Sequence, residues 1–473
     1  MTPPSIFHAA QTHDDAPALI VENKVLTFRQ LANLCKALVP HLAALPPDRP
    51  VAFTATNDLT SILLIYAALA SGRPFVPFHP RATATERDAL TRQMPMHVLS
   101  GLEIDNWLSS DSTASVQSVD TPICPEGRHP ACILFTSGSE GAPKGVVLSY
   151  RAFEASAVAS ADHLKWLPTD RWLLNLPLSH VGGLSILTRC LMAGKCVVVH
   201  ERFLETTTLE SIETHGVTMV SLVPAMLERL IAADEENRLS GLRVILLGGA
   251  AASPSLRKKW CDRGLNVYET YGMTECCSQA ATSVTPVTNA VMETGLMPLS
   301  NMKIHILDAQ QNTLPPMQTG RIALCGSSLM TAYVGSPPLS GPLVTQDIGY
   351  LDNAHCLHIV GRADDVLITG GENVHPAEIE RLLCCMDGVI EAVVFGVPHD
   401  TYGTQIAAAL FVDFELFHTE EMQHHIAQSL APFKKPRLFC VFSKEEIPLL
   451  HNGKIDRSAV ITNATPRLSP VLK

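Results

Sequence analysis

The sequence predicts an α/β protein: a large N-terminal body of layered α/β subdomains that includes a β-rich subdomain, followed by a small α+β C-terminal domain. Three observations lead there. Apolar strand-like runs alternate with helix-like stretches through the first part of the chain, the pattern of layered βα units with buried parallel strands. After Thr285 the texture shifts to short strands separated by turns. Beyond Arg362 a compact mixture of helix and strand resumes. At 473 residues the chain is too long for one ordinary core, and the boundary is drawn between 1–361 and 362–473.

In order along the chain, Leu26–Leu38 has helical periodicity after the cap candidate Thr27. Val51–Thr54 reads as strand, Asp58–Ser71 as a helix ended by Gly72, and Pro74–Phe78 as the next strand. Strands follow at Leu173–Leu176, Lys195–His200, Met219–Val223 and Val244–Leu247. The polar stretch 109–130 reads as a surface connection. Lys303–Leu307, Gly320–Cys325 and His358–Val360 are the short strands of the β-rich part. Pro376–Leu383 opens with proline and reads as helix, Ala392–Val397 and Ile406–Val412 as strands. No internal repeat is found.

Charged residues make up 17% and hydrophobic ones 46%, a globular composition. The net charge of -11 argues against nucleic acid as the main partner, though a site can still be locally basic. The 13 cysteines and 19 histidines are dispersed without metal-ligand spacing. Cysteines odd in number and no signal-peptide pattern fit a reducing cytoplasm, and no apolar run is long enough to span a bilayer. The expectation is a cytoplasmic protein with no membrane partner.

The most informative stretch is Thr136–Gly145 (TSGSEGAPKG), between two apolar strands. Gly138, Gly141 and Gly145 let backbone N–H groups turn toward an anion. Thr136, Ser137 and Ser139 add hydroxyls, and Lys144 adds positive charge, a set suited to a polyphosphate. It is not a Walker loop, because strand rather than helix follows. Taken alone, such a loop also fits an ordinary hairpin. Gly248, Gly249 and Ala250 end a strand where backbone can lie flat against a planar ring, or simply turn. The segment 268–275 (YETYGMTE) offers a ring, a hydroxyl and a carboxylate, as a phosphate and Mg²⁺ require.

As a set these motifs resemble the adenylate-forming enzymes, the family of acyl-CoA synthetases, peptide-synthetase adenylation domains and luciferases, and the resemblance covers essentially the whole chain. It implies that Thr136, Ser137, Gly138, Ser139, Gly141 and Lys144 hold the phosphates of ATP. Gly248, Gly249, Ala250 and Tyr271 would hold adenine, Thr274 the α-phosphate, and Glu275 the Mg²⁺. Asp347 and Arg362 would take the ribose, and Asp364 would be the hinge of a mobile C-terminal domain. Gly370 and Gly371 would line the pantetheine channel of coenzyme A, and Lys454, in 452–457 (NGKIDR), would be the catalytic lysine. The implied chemistry is attack of a carboxylate on ATP, then transfer of the acyl group from AMP to the CoA thiol. The cofactors and substrates implied are therefore ATP, Mg²⁺, CoA and a small carboxylic acid, with no nucleic acid; a homo-oligomer is compatible with the sequence.

The segments 176–189 (LPLSHVGGLSILTR) and 220–230 (VSLVPAMLERL) look like the branch of this family that activates o-succinylbenzoate in menaquinone biosynthesis. That acid carries a second carboxylate, for which Arg189 is the candidate cation; Arg189 exposed on a helix is the bland alternative. His180 would flank the substrate and thiol channel, with Ser185 and Ser221 as further lining. A fatty or aryl acid–CoA ligase is the nearest rival. A catalytically inactive nucleotide-binding homologue is the alternative of another class, suggested by Glu140 in the phosphate loop and by Ser179, Arg321 and Gln346 at positions where the family has other residues.

Overall fold

The computed structural model describes residues 4–109, 127–136, 143–288, 295–400, 402–450 and 455–470. Two sheets organise the N-terminal part. In the six-stranded one, His97–Val98, Val51–Thr54, Phe75–Phe78 and Pro130–Thr136 are parallel neighbours in that order. Lys144–Ser149 and Ala332–Tyr333 close it as antiparallel strands. In the nine-stranded sheet, Cys196–Val199, Arg171–Leu174, Met219–Leu222, Val244–Leu247 and Val267–Tyr271 are successive parallel neighbours.

Both faces of the nine-stranded sheet are covered, which explains its unbroken apolar strands. Trp172, Leu174 and Val197 face a core shared with Phe53, Ile62, Phe153 and Leu184. Their alternating neighbours Leu173 and Val198 face a second core built around Val220, Leu227 and Trp260. The helix Leu59–Ser71 is buried from Ser61 to Ser71, as its apolar residues on every side require. Asp58 caps it by accepting the Ser61 N–H, and Gly72 ends it at φ 71°. Thr27 and Gln30 form a capping box for a helix that runs through Phe28–Ala44, longer than the periodicity predicted.

The strand expected at Leu173–Leu176 is shifted to Arg171–Leu174. Beyond it, buried Asn57 takes over the backbone: its amide donates to the Leu176 and His200 carbonyls and accepts from Leu178 N–H. A hairpin of Pro17–Val21 and Lys24–Thr27, not anticipated from the sequence, extends the far edge of the same sheet.

The β-rich part is an antiparallel meander of Met302–Leu307, Gly320–Gly326, Leu343–Leu351 and Leu357–Arg362. After it, Val389–His399, Gly403–Val412, Leu438–Ser443 and Ser469–Pro470 form a separate sheet. Pro376–Leu383 and Thr419–Ser429 cover one face through Ile379, Leu383, Met422 and Ile426. Arg457–Ala464 covers the other through Val460 and Ala464. Among the described residues, no helix is long and apolar enough to cross a membrane.

Candidate active site

Three sheets converge on one region. From the six-stranded sheet comes the hairpin in which Thr136 pairs with Lys144. The predicted loop residues Ser137, Gly138, Ser139 and Gly141, with Glu140, lie outside the described residues, as does Lys454. The second hairpin strand is clamped by Ala332–Tyr333, and Gly145 is needed there because a Cβ would stand 2.6 Å from Val334 Cγ2. That pairing delivers Tyr333, whose hydroxyl donates to Glu275 Oε1 at 2.9 Å. The Glu275 carbonyl also accepts the Met330 N–H at 2.8 Å. Burial, then the nearby Glu275 carboxylate, pushes the Tyr333 phenol up, so it stays a hydrogen-bond donor. Thr274 and Glu275 sit half-buried on the short 3₁₀ turn Thr274–Cys276.

The nine-stranded sheet contributes two adjacent strand ends. Gly248 follows Val244–Leu247 where a Cβ would meet Thr270 Cγ2 at 2.8 Å, and Gly249 has φ 84°. Gly249 and Ala250 are exposed, so their backbone is open to a ligand. Tyr271 ends the neighbouring strand, 8% exposed, and donates to Asp347 Oδ2 at 2.6 Å. Asp347 comes from the antiparallel meander, in register with Arg362. The Arg362 guanidinium lies 3.9 Å from Asp347 Oδ1, and it grips Asp364 with two bonds of 2.8 and 2.7 Å. That fork holds the Asp364 carboxyl below the usual aspartate range and raises Arg362.

Arg189 is not on the surface. It projects from the helix Val181–Ala193 into the shared core at 2% exposure. Nη2 donates to Ser156 Oγ at 3.3 Å; among the described residues Nε has no partner and no carboxylate pairs with the guanidinium. The Trp172 ring lies 5.9 Å from the guanidinium carbon. Burial pushes this guanidinium down to about 10. Ser156 in turn donates to the Cys277 carbonyl at 2.8 Å, two residues past Glu275. Arg189 is thus tied through one serine to the turn that carries Thr274 and Glu275.

His180 opens that same helix and stacks obliquely with His79 at 5.6 Å between ring centroids. Ser185 and Ser221 are buried and already engaged: Ser185 donates to the Gly182 carbonyl, and Ser221 accepts from Trp172 Nε1. Gly370 and Gly371 form the turn between Leu367–Thr369 and Glu372–Val374, with φ 57° and 87°. Gly370 N–H donates to the Tyr402 carbonyl at 3.0 Å. Beside this turn is a cavity of about 180 Å³ lined by Thr369, Gly370, Tyr402, Phe433, Lys435 and Arg437. Arg437 stacks on the Tyr402 ring at 4.5 Å. Sequence reasoning missed Tyr333 and Ser156, which carry no motif; the basic run 434–437 (KKPR) was a signal available for the cavity.

The family model described as AMP-binding enzyme matches residues 6–334, and that of the AMP-binding enzyme C-terminal domain matches 378–454. A 2-succinylbenzoate–CoA ligase of Bacillus pumilus (strain SAFR-032) is 32% identical, the alignment covering 96% of each chain. The o-succinylbenzoate CoA synthetase of Bacillus subtilis, solved with its acyl-adenylate intermediate, superposes with a TM-score of 0.84 at 29% identity, covering 97% of both chains. The same synthetase in complex with ATP and magnesium ion gives 0.83 at 29% identity, covering 97% of this chain and 99% of that one. The chain belongs to the AMP-binding enzyme family.

Proposed function

We propose that this protein is an AMP-forming acid–thiol ligase that activates o-succinylbenzoate with ATP and passes the acyl group to coenzyme A. The observation that carries the substrate is Arg189: a buried cation with no carboxylate partner among the described residues, beside the turn bearing Thr274 and Glu275. Leaving such a charge unpaired is costly, and the second carboxylate of a dicarboxylic acid supplies the missing partner. A fatty or simple aryl acid would leave it unpaired.

In the first half-reaction a carboxylate oxygen of the acid bonds to the α-phosphorus of ATP, and the bond to the bridging oxygen breaks to release pyrophosphate. Thr136, Lys144 and the loop between them hold the phosphates. Gly249, Ala250 and Tyr271 border the adenine, and Asp347, fixed by Tyr271 and Arg362, accepts from the ribose hydroxyls. The Glu275 carboxylate fits magnesium, which favours one or two carboxylates plus phosphate oxygens, and the Thr274 hydroxyl on the same turn donates to the α-phosphate. Bound there, the ion would neutralise charge developing on the phosphates. Tyr333 keeps the Glu275 carboxylate aimed, and Lys454 supplies a second positive charge to the leaving oxygen.

In the second half-reaction the CoA sulfur bonds to the acyl carbon, the bond to the phosphate oxygen of AMP breaks, and the thiol proton is lost. His180 flanks the acyl group, while Gly370 and Gly371 admit the pantetheine arm. Lys435 and Arg437, set against the single carboxylate of Glu372, leave the adjoining cavity with a net positive lining suited to the phosphates of CoA. The two steps need different faces of residues 362–473, so Asp364 serves as the pivot.

The test is pyrophosphate release with ATP, Mg²⁺ and CoA, comparing o-succinylbenzoate with benzoate, medium-chain fatty acids and amino acids. Turnover confined to o-succinylbenzoate is expected. Turnover on fatty or simple aryl acids would keep the mechanism and overturn the substrate; none on any acid would favour an inactive homologue.

A further inference from the structure

The helix Tyr150–Leu164 packs against Val181–Ala193 and places buried Ser156 against Arg189. The two bonds of the Ser156 hydroxyl have a fixed sense. Its proton goes to the Cys277 carbonyl at 2.8 Å, since a carbonyl only accepts. Its lone pair must therefore face Arg189 Nη2, at 3.3 Å. The Trp172 ring, held by its Nε1–H on Ser221, lies 5.9 Å from the guanidinium carbon. The Nε–H of the same guanidinium is buried and has no partner among the described residues.

The geometry points to Ser156 as a specificity-determining positioning residue: it holds one arm of Arg189 so that the unpartnered N–H meets the non-reacting carboxylate of the acyl substrate. This rests on the reading that Arg189 takes that carboxylate. Guanidinium recognition of a carboxylate depends on two parallel bonds, so a side chain free to swing loses much of its selectivity even though its charge remains. Ser156 neither touches the reacting atoms nor carries charge; it acts on the substrate carboxylate through Arg189, and its bond to the Cys277 carbonyl anchors it for that part.

The test compares kcat/KM for o-succinylbenzoate with that for 4-oxo-4-phenylbutanoate, which keeps the succinyl arm and lacks the ring carboxylate. The wild type, Ser156→Ala, Ser156→Thr and Arg189→Ala are measured side by side. Ser156→Ala is expected to lower the preference for the ring carboxylate about tenfold, as loss of one hydrogen bond to a charged group would. The loss is expected in KM for o-succinylbenzoate rather than in kcat, and Ser156→Thr, which keeps the hydroxyl, is expected to restore it. A preference abolished by Arg189→Ala but unmoved by Ser156→Ala overturns the role of Ser156 and leaves the Arg189 reading standing. A wild type without preference overturns both. Equal losses on the two acids assign Ser156 a purely structural part and overturn the proposal.

Discussion

Replacing Arg189 by methionine is expected to make the unliganded protein more stable while destroying its selectivity. An ordinary arginine titrates near 12.5, and burial brings Arg189 down to about 10. That difference corresponds to roughly 3 kcal/mol held against the charged form in the folded state. Ser156 and Trp172 offset part of the penalty, and no carboxylate among the described residues offsets the rest. Methionine removes the charge but leaves a smaller volume to fill, so a net gain of about 1–2 kcal/mol is expected. Thermal unfolding should register this as an upward shift of a few degrees. In the same assay, o-succinylbenzoate should raise the midpoint of the wild type and leave that of Arg189→Met unmoved, because a ligand stabilises only the state it binds. A variant clearly less stable than the wild type would refute the idea that the buried charge is uncompensated. A variant still protected by the dicarboxylate would refute the assignment of Arg189 to the pocket.

Tyr333→Phe removes the donor on Glu275 Oε1 and is expected to weaken Mg²⁺-dependent ATP binding about tenfold, read by titration calorimetry with and without the metal. An equal effect without Mg²⁺ would detach Glu275 from the metal. Lys454→Ala is expected to abolish pyrophosphate release while ATP binding measured by the same calorimetry persists; near-normal release would remove Lys454 from the chemistry. In the C-terminal sheet, burial pushes the Glu391 carboxyl up to about 7. The folded state therefore holds this proton more tightly than the unfolded one, and the associated stability is complete below pH 4.5 and lost as pH rises through about 7. Because the side chain still meets some solvent, Glu391→Gln should recover roughly 2 kcal/mol at pH 8 and little at pH 4.5, read by urea unfolding at both pH values. Equal effects at both would show that Glu391 does not titrate in this window.

Where a signal was local, the sequence disclosed it. Asp58 and Gly72 bracket their helix, Thr27 and Gln30 build a capping box, and Pro376 opens the helix that runs to Leu383, all within a few residues. The motif residues stand out for a different reason: Lys144, Asp347 and Glu275 each sit in a recognisable run, and the structure places Asp347 against Tyr271 and Arg362. What stayed hidden depends on distant pairing. Tyr333 reaches Glu275 across 58 residues, and only the antiparallel strand beside Lys144–Ser149 brings it there. Ser156 reaches Arg189 across 33 residues and lies in a helix whose alanines and serines suggest nothing but close packing. The burial of Arg189 was equally out of reach, since one arginine on a largely apolar helix fits an exposed or a buried position alike.

The convergence of three sheets on one region bears on how the molecule comes into being. Lys144, Tyr271 and Asp347 belong to three different sheets, and their Cα atoms are ordered relative to one another only when all three are packed. Any one layer alone displays a fragment of the proposed site. During synthesis from the ribosome, Asp347 emerges more than two hundred residues after Lys144. A nascent or half-folded copy therefore carries the three motifs without their juxtaposition, which only the finished architecture supplies.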